Sequence, residues 1–158
     1  MTPRVGLGFD IHPFSDDAGR ALVLGGVIVA GPGLAGHSDA DAVAHAICDA
    51  VLGAAGLGDI GSLFPSGDER FRGADSLELL REAYRQVREA GWRLVNADCV
   101  LIGEEPRIAE RRDEMRLRLA DALGGGDVNV RATTTDGLGF TGRGEGLAAH
   151  AVALLTHE

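Results

Sequence analysis

Apolar and polar positions alternate along residues 4–12, RVGLGFDIH: Val5, Leu7, Phe9 and Ile11 face one way, and Gly6, Gly8, Asp10 and His12 the other. A period of two predicts a strand with a core face and a chemical face, and the two glycines leave room for a ligand or a neighbouring backbone. Pro13 ends it. A second strand is expected over residues 21–30. The period then changes in residues 37–49, HSDADAVAHAICD, which predict a helix with Ser38 as N-cap and with Asp39 and Asp41 in its first turn. Val43, Ile47, Ala50, Val51 and Ala54 share its core face. At 100° per residue Asp41 and Asp49 lie within about 40° of His45, so the opposite face presents Asp, His, Asp.

Residues 56–76 are too broken by Gly and Pro for regular structure, and a loop of that length in a compact domain is usually functional or mobile. A helix is expected over 76–90, with Leu77, Leu80, Tyr84 and Val87 as its stripe and Gly91 as its stop. Residues 92–103 read as a long strand, apolar on both faces. Pro106 suits the first turn of a third helix with core positions Ile108, Met115, Leu119 and Leu123. Residues 127–135 read as a strand running out into hydroxyls, and the small residues of 147–156 as a closing helix. Four strands and four helices in mixed order predict an α+β fold: a four-stranded mixed sheet with helices on one face. The doubly apolar strand needs a cover on its other face, which points to an oligomer.

At 158 residues the chain fits a single domain, 1–158. All 15 basic residues are Arg, and 24 acids leave a net charge of −9, which disfavours nucleic acid as a partner. An anionic ligand must then be held locally, by a metal ion, by individual Arg side chains or by backbone N–H groups. Cys48 and Cys99 are isolated, without the spacing of a zinc ribbon or disulfide framework, and suit a reducing compartment. No run approaches 18 apolar residues, so no membrane span is expected and the cytoplasm is the expected location.

Asp10 and His12 from a strand and His45 from a helix make one carboxylate and two imidazoles, the composition of a catalytic zinc site with an open fourth position. Asp41 and Asp49 are candidates to hold the far ring nitrogen of His45. By spacing alone, unrelated polar surface is the commoner reading of these residues. Thr133, Thr134, Thr135 and Asp136, followed by a glycine-rich loop with Arg143, offer donors suited to phosphate oxygens, although an ordinary glycine turn has the same pattern. No Ser or Cys stands in a nucleophile elbow, so a covalent mechanism is not suggested.

Taken in order over nearly the whole chain, GFDIHPF, LGG, HSDADAVAHAICDAVLGAAGLGDIGSLFP, GADS, EEPR and ATTTDGLGFTGRGEG closely resemble the 2-C-methyl-D-erythritol 2,4-cyclodiphosphate synthases of non-mevalonate isoprenoid biosynthesis. The resemblance implies a lyase that forms a homotrimer, with sites between subunits. It implies one zinc-like divalent cation per subunit on Asp10, His12 and His45, and Mg²⁺ or Mn²⁺ with the substrate diphosphate. Asp10, His12, His37, Ser38, Asp59, Ile60, Gly61, Phe64, Pro65, Ser66, Gly67 and Asp68 would face the methylerythritol phosphate end of the substrate. Gly103, Glu104, Glu105, Pro106, Arg107, Ile108, Ala109, Thr133, Thr134, Thr135 and Asp136 would face its cytidine diphosphate end, with Phe140 and Arg143 nearby. His37 and Thr134 match positions credited with transition-state stabilisation. Some relatives are fused to a cytidylyltransferase, for which this chain has no length.

Three positions depart from the family pattern: Ser66 where an acid is common, Arg107 where Lys is common, and Asp136 where Glu usually helps hold the second ion. The shorter Asp136 is expected to reach that ion through water. The implied reaction is cyclisation of 4-diphosphocytidyl-2-C-methyl-D-erythritol 2-phosphate with loss of CMP. The alternatives are a zinc phosphohydrolase and a non-catalytic, metal-dependent trimer that binds nucleotides or prenyl diphosphates.

Overall fold

A computed structural model describing residues 2–158 places the alternating N-terminal stretch in β1 (Arg4–Pro13), an edge strand of a four-stranded sheet. Its two faces are the reverse of the sequence expectation. Val5 and Leu7 are 68% and 65% exposed, and Phe9 and Ile11 are exposed too, whereas Gly6 and Gly8 are buried. The reason is the helix that crosses them: a Cβ at Gly8 would overlap the Ala46 carbonyl, and one at Gly6 that of Ala50. The glycines are there for a backbone, and the face that carries Asp10 and His12 is the inner one.

That helix, α1 (Ala42–Ala55), starts later than Ser38 would have it. Its N-cap is Asp41, which accepts from Ala44 N–H at 3.0 Å and also from Gly25 and Gly26 N–H at 2.9 and 2.7 Å. These two glycines, at φ 58° and 75°, turn a hairpin between β2 (Leu22–Leu24) and β3 (Val27–Val29) where one strand was expected. Burial pushes the Asp41 carboxyl up to about 6, against the pull of its three N–H donors. Ahead of it, Ala40 is held in the left-handed region at φ 58°, with Ser38 Oγ accepting its N–H.

The broken stretch after α1 contains a short helix, α2 (Ile60–Leu63), capped by Asp59, and a 3₁₀ turn at Glu69–Phe71. Helix α3 (Ser76–Glu89) and strand β4 (Trp92–Ile102) follow as expected. Pro106 lies in a loop, and α4 (Arg112–Ala122) begins later, although Ile108, Met115, Leu119 and Leu123 are all buried as anticipated. Strand β5 (Asp127–Thr133) pairs parallel with β4, and a four-residue helix, α5 (Gly139–Gly142), sits in the glycine-rich loop.

The largest difference is at the C-terminus. Residues 146–157 form a strand, β6 (Gly146–His157), at the centre of the sheet and antiparallel to both β1 and β4. Its alanines at 149, 151 and 153 face inward, where small side chains admit the Ala-rich α1, while His150 and Val152 point out. Two strand partners override the helix propensity of alanine. The result is α+β, a mixed four-stranded sheet with its helices over the inner face.

Candidate metal centre and flanking pockets

β1 ends in Asp10 and His12 on its inner face, and the second turn of α1, held there by Gly8 and Asp41, delivers His45. Asp10 Oδ2 lies 2.8 Å from His12 Nε2 and 3.5 Å from His45 Nδ1, and the two nitrogens are 3.3 Å apart. His12 Nδ1 donates to the Ala35 carbonyl at 2.9 Å, so in the neutral ring Nε2 is an electron pair. Asp10 Oδ2 is buried without a hydrogen-bond donor. Three potential ligand atoms, Asp10 Oδ2, His12 Nε2 and His45 Nδ1, thus converge on one point. One carboxylate and two imidazoles suit a zinc-like ion with an open coordination position.

Burial opposes charge on both strand residues. For Asp10, the His12 and His45 rings, when they carry protons toward it, outweigh burial and hold the carboxyl below its ordinary range. For His12, Asp10 outweighs it and lifts the imidazole above its ordinary range, while the Arg20 guanidinium pulls the other way. Arg20 donates to the carbonyls of Leu34, Gly36 and Ser38, and so ties down the loop that leads to His37. Nothing in the local sequence marked it.

The expected outer partners of His45 are not the ones found. Asp41 is spent on the β2–β3 turn, and Asp49 accepts from Ile60 N–H at 2.7 Å. His45 Nε2 instead meets Ser76 Oγ at 2.8 Å and Ser38 Oγ at 3.3 Å, and Ser76 in turn donates to Asp39. Ser76 comes from the first turn of α3, 31 positions away, which is why spacing within α1 could not reveal it.

An open cavity of about 360 Å³ adjoins the triad, lined by His12, His37, Ser38, His45, Ile60, Gly61, Phe64, Pro65, Ser66 and Gly67, with Phe71 and Leu79 added by the structure. Asp59 and Asp68 lie at its margin: Asp59 caps α2, and the Asp68 carbonyl accepts from His37 Nε2 at 2.7 Å. A second cavity, about 440 Å³, is lined by Gly103, Glu104, Glu105, Pro106, Arg107, Ile108 and Ala109 together with Thr133 and Thr134. Thr135, Asp136, Phe140 and Arg143 line neither. Thr134 Oγ1 accepts from Asp136 N–H at 3.2 Å, Thr135 Oγ1 bonds Thr141, and Arg143 pairs with Glu145 at 2.6 Å.

The two cavities open at the same end of the sheet but at opposite edges, one beside β1 and one beside β4 and β5. Three strand spacings of about 4.8 Å separate those edges by roughly 14 Å. One chain brings together the metal triad with the first pocket, and the hydroxyl strand end with the second. It does not bring the two halves together.

An α+β domain with an open pocket beside an Asp–His–His cluster has the outline of a metal-binding site. Residues 3–156 match the model of the YgbB family, and the chain belongs to that family. It is 62% identical over 156 residues to the 2-C-methyl-D-erythritol 2,4-cyclodiphosphate synthase of Rubrobacter xylanophilus, covering 96% of this chain and 94% of that one. Among solved structures it resembles the bifunctional IspDF of Campylobacter jejuni, with a TM-score of 0.93 and 43% identity, over 99% of this chain and 43% of that longer one. It also resembles IspF of Plasmodium falciparum in complex with CDP, with a TM-score of 0.85 and 30% identity over 99% and 97% of the two chains. Among the described residues, no helix is long and apolar enough to cross a membrane.

Proposed function

We infer that Asp10, His12 and His45 hold the divalent cation on which this enzyme's cyclisation depends, and that neighbouring subunits complete each site. The reaction is that of the family: 4-diphosphocytidyl-2-C-methyl-D-erythritol 2-phosphate closes to 2-C-methyl-D-erythritol 2,4-cyclodiphosphate. An oxygen of the 2-phosphate forms a bond to the β-phosphorus, the bond from that phosphorus to the bridging oxygen breaks, and CMP leaves with the electron pair. The observation that carries this reading is the convergence of Asp10 Oδ2, His12 Nε2 and His45 Nδ1 beside an open pocket.

A zinc-like ion bound there supplies Lewis-acid polarisation of a phosphate oxygen. The chain's own task is to bend the substrate and exclude water. His37, whose Nε2 donates to the Asp68 carbonyl, can turn that proton to a phosphate oxygen as charge builds, and Thr134 Oγ1 donates from the other half-site. Ile60, Phe64 and Pro65 present apolar surface to the methylerythritol carbons, and Ser66 adds a neutral hydroxyl to the lining. The 103–109 loop and Thr133 suit the cytidine diphosphate, with Arg107 supplying positive charge. Mg²⁺ or Mn²⁺ accompanies the diphosphate. Asp136 is exposed, and its short carboxylate would help to hold that ion through water. Incubation with substrate should release CMP one for one with cyclic product and no orthophosphate.

The chain works as a single catalytic domain in a cytoplasmic homotrimer. What supports the trimer is the half-exposed row Val5, Leu7, Phe9 and Ile11, whose remaining burial is worth roughly 1 kcal/mol or a little more per side chain, and the separation of the half-sites to opposite sheet edges. Sedimentation should report three chains. Mixing a His45→Ala variant with a Thr134→Ala variant, each inactive, should restore roughly a quarter of wild-type activity by random assortment of subunits. Sites contained within one chain would give none.

A further inference from the structure

We propose that Ser76 and Asp39 form a positioning relay that fixes the ring of His45 with its Nδ1 electron pair toward Asp10 and His12. The inference rests on the metal-holding role given to that cluster above, and goes beyond it by naming what keeps the helix-borne ligand in its binding form.

The direction of each hydrogen bond follows from proton counting. Asp39, as a carboxylate, only accepts, and a serine hydroxyl has one proton to give. Ser76 Oγ donates that proton to Asp39 Oδ1, while Ser76 N–H donates to Asp39 Oδ2 at 3.1 Å. Ser76 Oγ, 2.8 Å from His45 Nε2, is left to accept from it. The ring proton is thereby placed on Nε2, and Nδ1, 3.5 Å from Asp10 Oδ2, is left as an electron pair. Ser38 Oγ, which accepts Ala40 N–H, keeps its own proton, but at 3.3 Å it makes the longer contact to the same nitrogen, and the 2.8 Å Ser76 bond sets the ring. Ser76 is buried, so water offers no substitute.

Two features separate this role from ordinary helix capping. The cap of α3 is Asp75, which accepts from Leu77 N–H at 2.9 Å, so the Ser76 hydroxyl is not needed to start the helix. In a Ser76→Ala variant the backbone N–H of position 76 still reaches Asp39, so the junction between the loop and α3 stays tied. Only the contact to His45 is removed.

The test uses the full-length protein and Zn²⁺ itself. Nitrogen-15 NMR of the metal-free wild type should show His45 protonated at Nε2. Competition against a chromophoric chelator should show Ser76→Ala binding Zn²⁺ roughly 10- to 100-fold more weakly than wild type, as loss of such outer partners typically does. Its metal-free melting temperature should stay within a few degrees. In Asp39→Asn, an amide turned toward Ser76 Oγ would free the hydroxyl proton for His45, and the proton should move toward Nδ1. A wild-type ring protonated at Nδ1, Zn²⁺ affinity of Ser76→Ala within two-fold of wild type, or a melting loss that accounts for the weaker binding would each overturn the relay. Absence of Zn²⁺ binding by the wild type would instead overturn the metal reading beneath it.

Discussion

Replacing His12 and His45 together by alanine should release the ion and lower turnover by at least about 10³-fold, since losing even an outer partner of a metal ligand costs roughly 10- to 100-fold. The two rings lie at the mouth of an open pocket, and the apolar face of α1, from Val43 to Val51, is untouched by the change. Far-ultraviolet circular dichroism and sedimentation should therefore match wild type. Elemental analysis after dialysis against a weak chelator is the check: one ion per wild-type subunit, and none in the variant. Full occupancy in the double variant would remove the triad from the account.

Gly8→Ala should have the largest effect on the fold, a loss of about 3 kcal/mol or more or outright failure to fold, because the new Cβ would overlap the Ala46 carbonyl and crowd the Ala50 nitrogen, both helix backbone. A side-chain neighbour could rotate away, but a helix backbone must move as a unit, and α1 carries His45. Whatever variant folds should therefore also bind Zn²⁺ poorly. Gly53→Ala is the control on the same helix. Its Cβ would meet nothing nearer than the Leu7 carbonyl at 3.9 Å, so it should gain roughly 0.5–1 kcal/mol from helix propensity. Urea denaturation of the two variants measures both. A well-folded Gly8→Ala of wild-type stability would contradict the proposed reason for glycine in β1.

The sequence carried the elements whose periodicity was decided by contacts inside the chain. β4, β5 and α3 fell where their patterns placed them, because each packs its apolar stripe on the same core. The alternation of β1 was equally clear, and yet its faces were assigned the wrong way round. Here the apolar side chains of β1 face away from the chain's own core, while glycine lets α1 close on the inner side. β6 was misread for a related reason: its alanines answer to α1, packed across the sheet, and not to a helix of their own.

The site divided along the same line. Asp10 and His12 were legible from one strand, and His45 from the polar face of one helix. What joined them was not legible, because Gly8, the Asp41 clamp on Gly25 and Gly26, the Arg20 tether and the Ser76 contact are all made between segments distant in sequence. The separation of the metal pocket from the threonine strand end, two halves at opposite edges of one sheet, emerges only from the strand order.

The most direct test of the central claim, that the substrate's own phosphate is the nucleophile at this metal centre, is turnover in water enriched in oxygen-18, followed by phosphorus NMR and mass spectrometry of both products. Cyclisation breaks and makes bonds only among substrate atoms, so the cyclic diphosphate and CMP should carry no oxygen from solvent. Oxygen-18 in either product, or an open-chain phosphate in place of the ring, would mean that water attacks and that the site is hydrolytic.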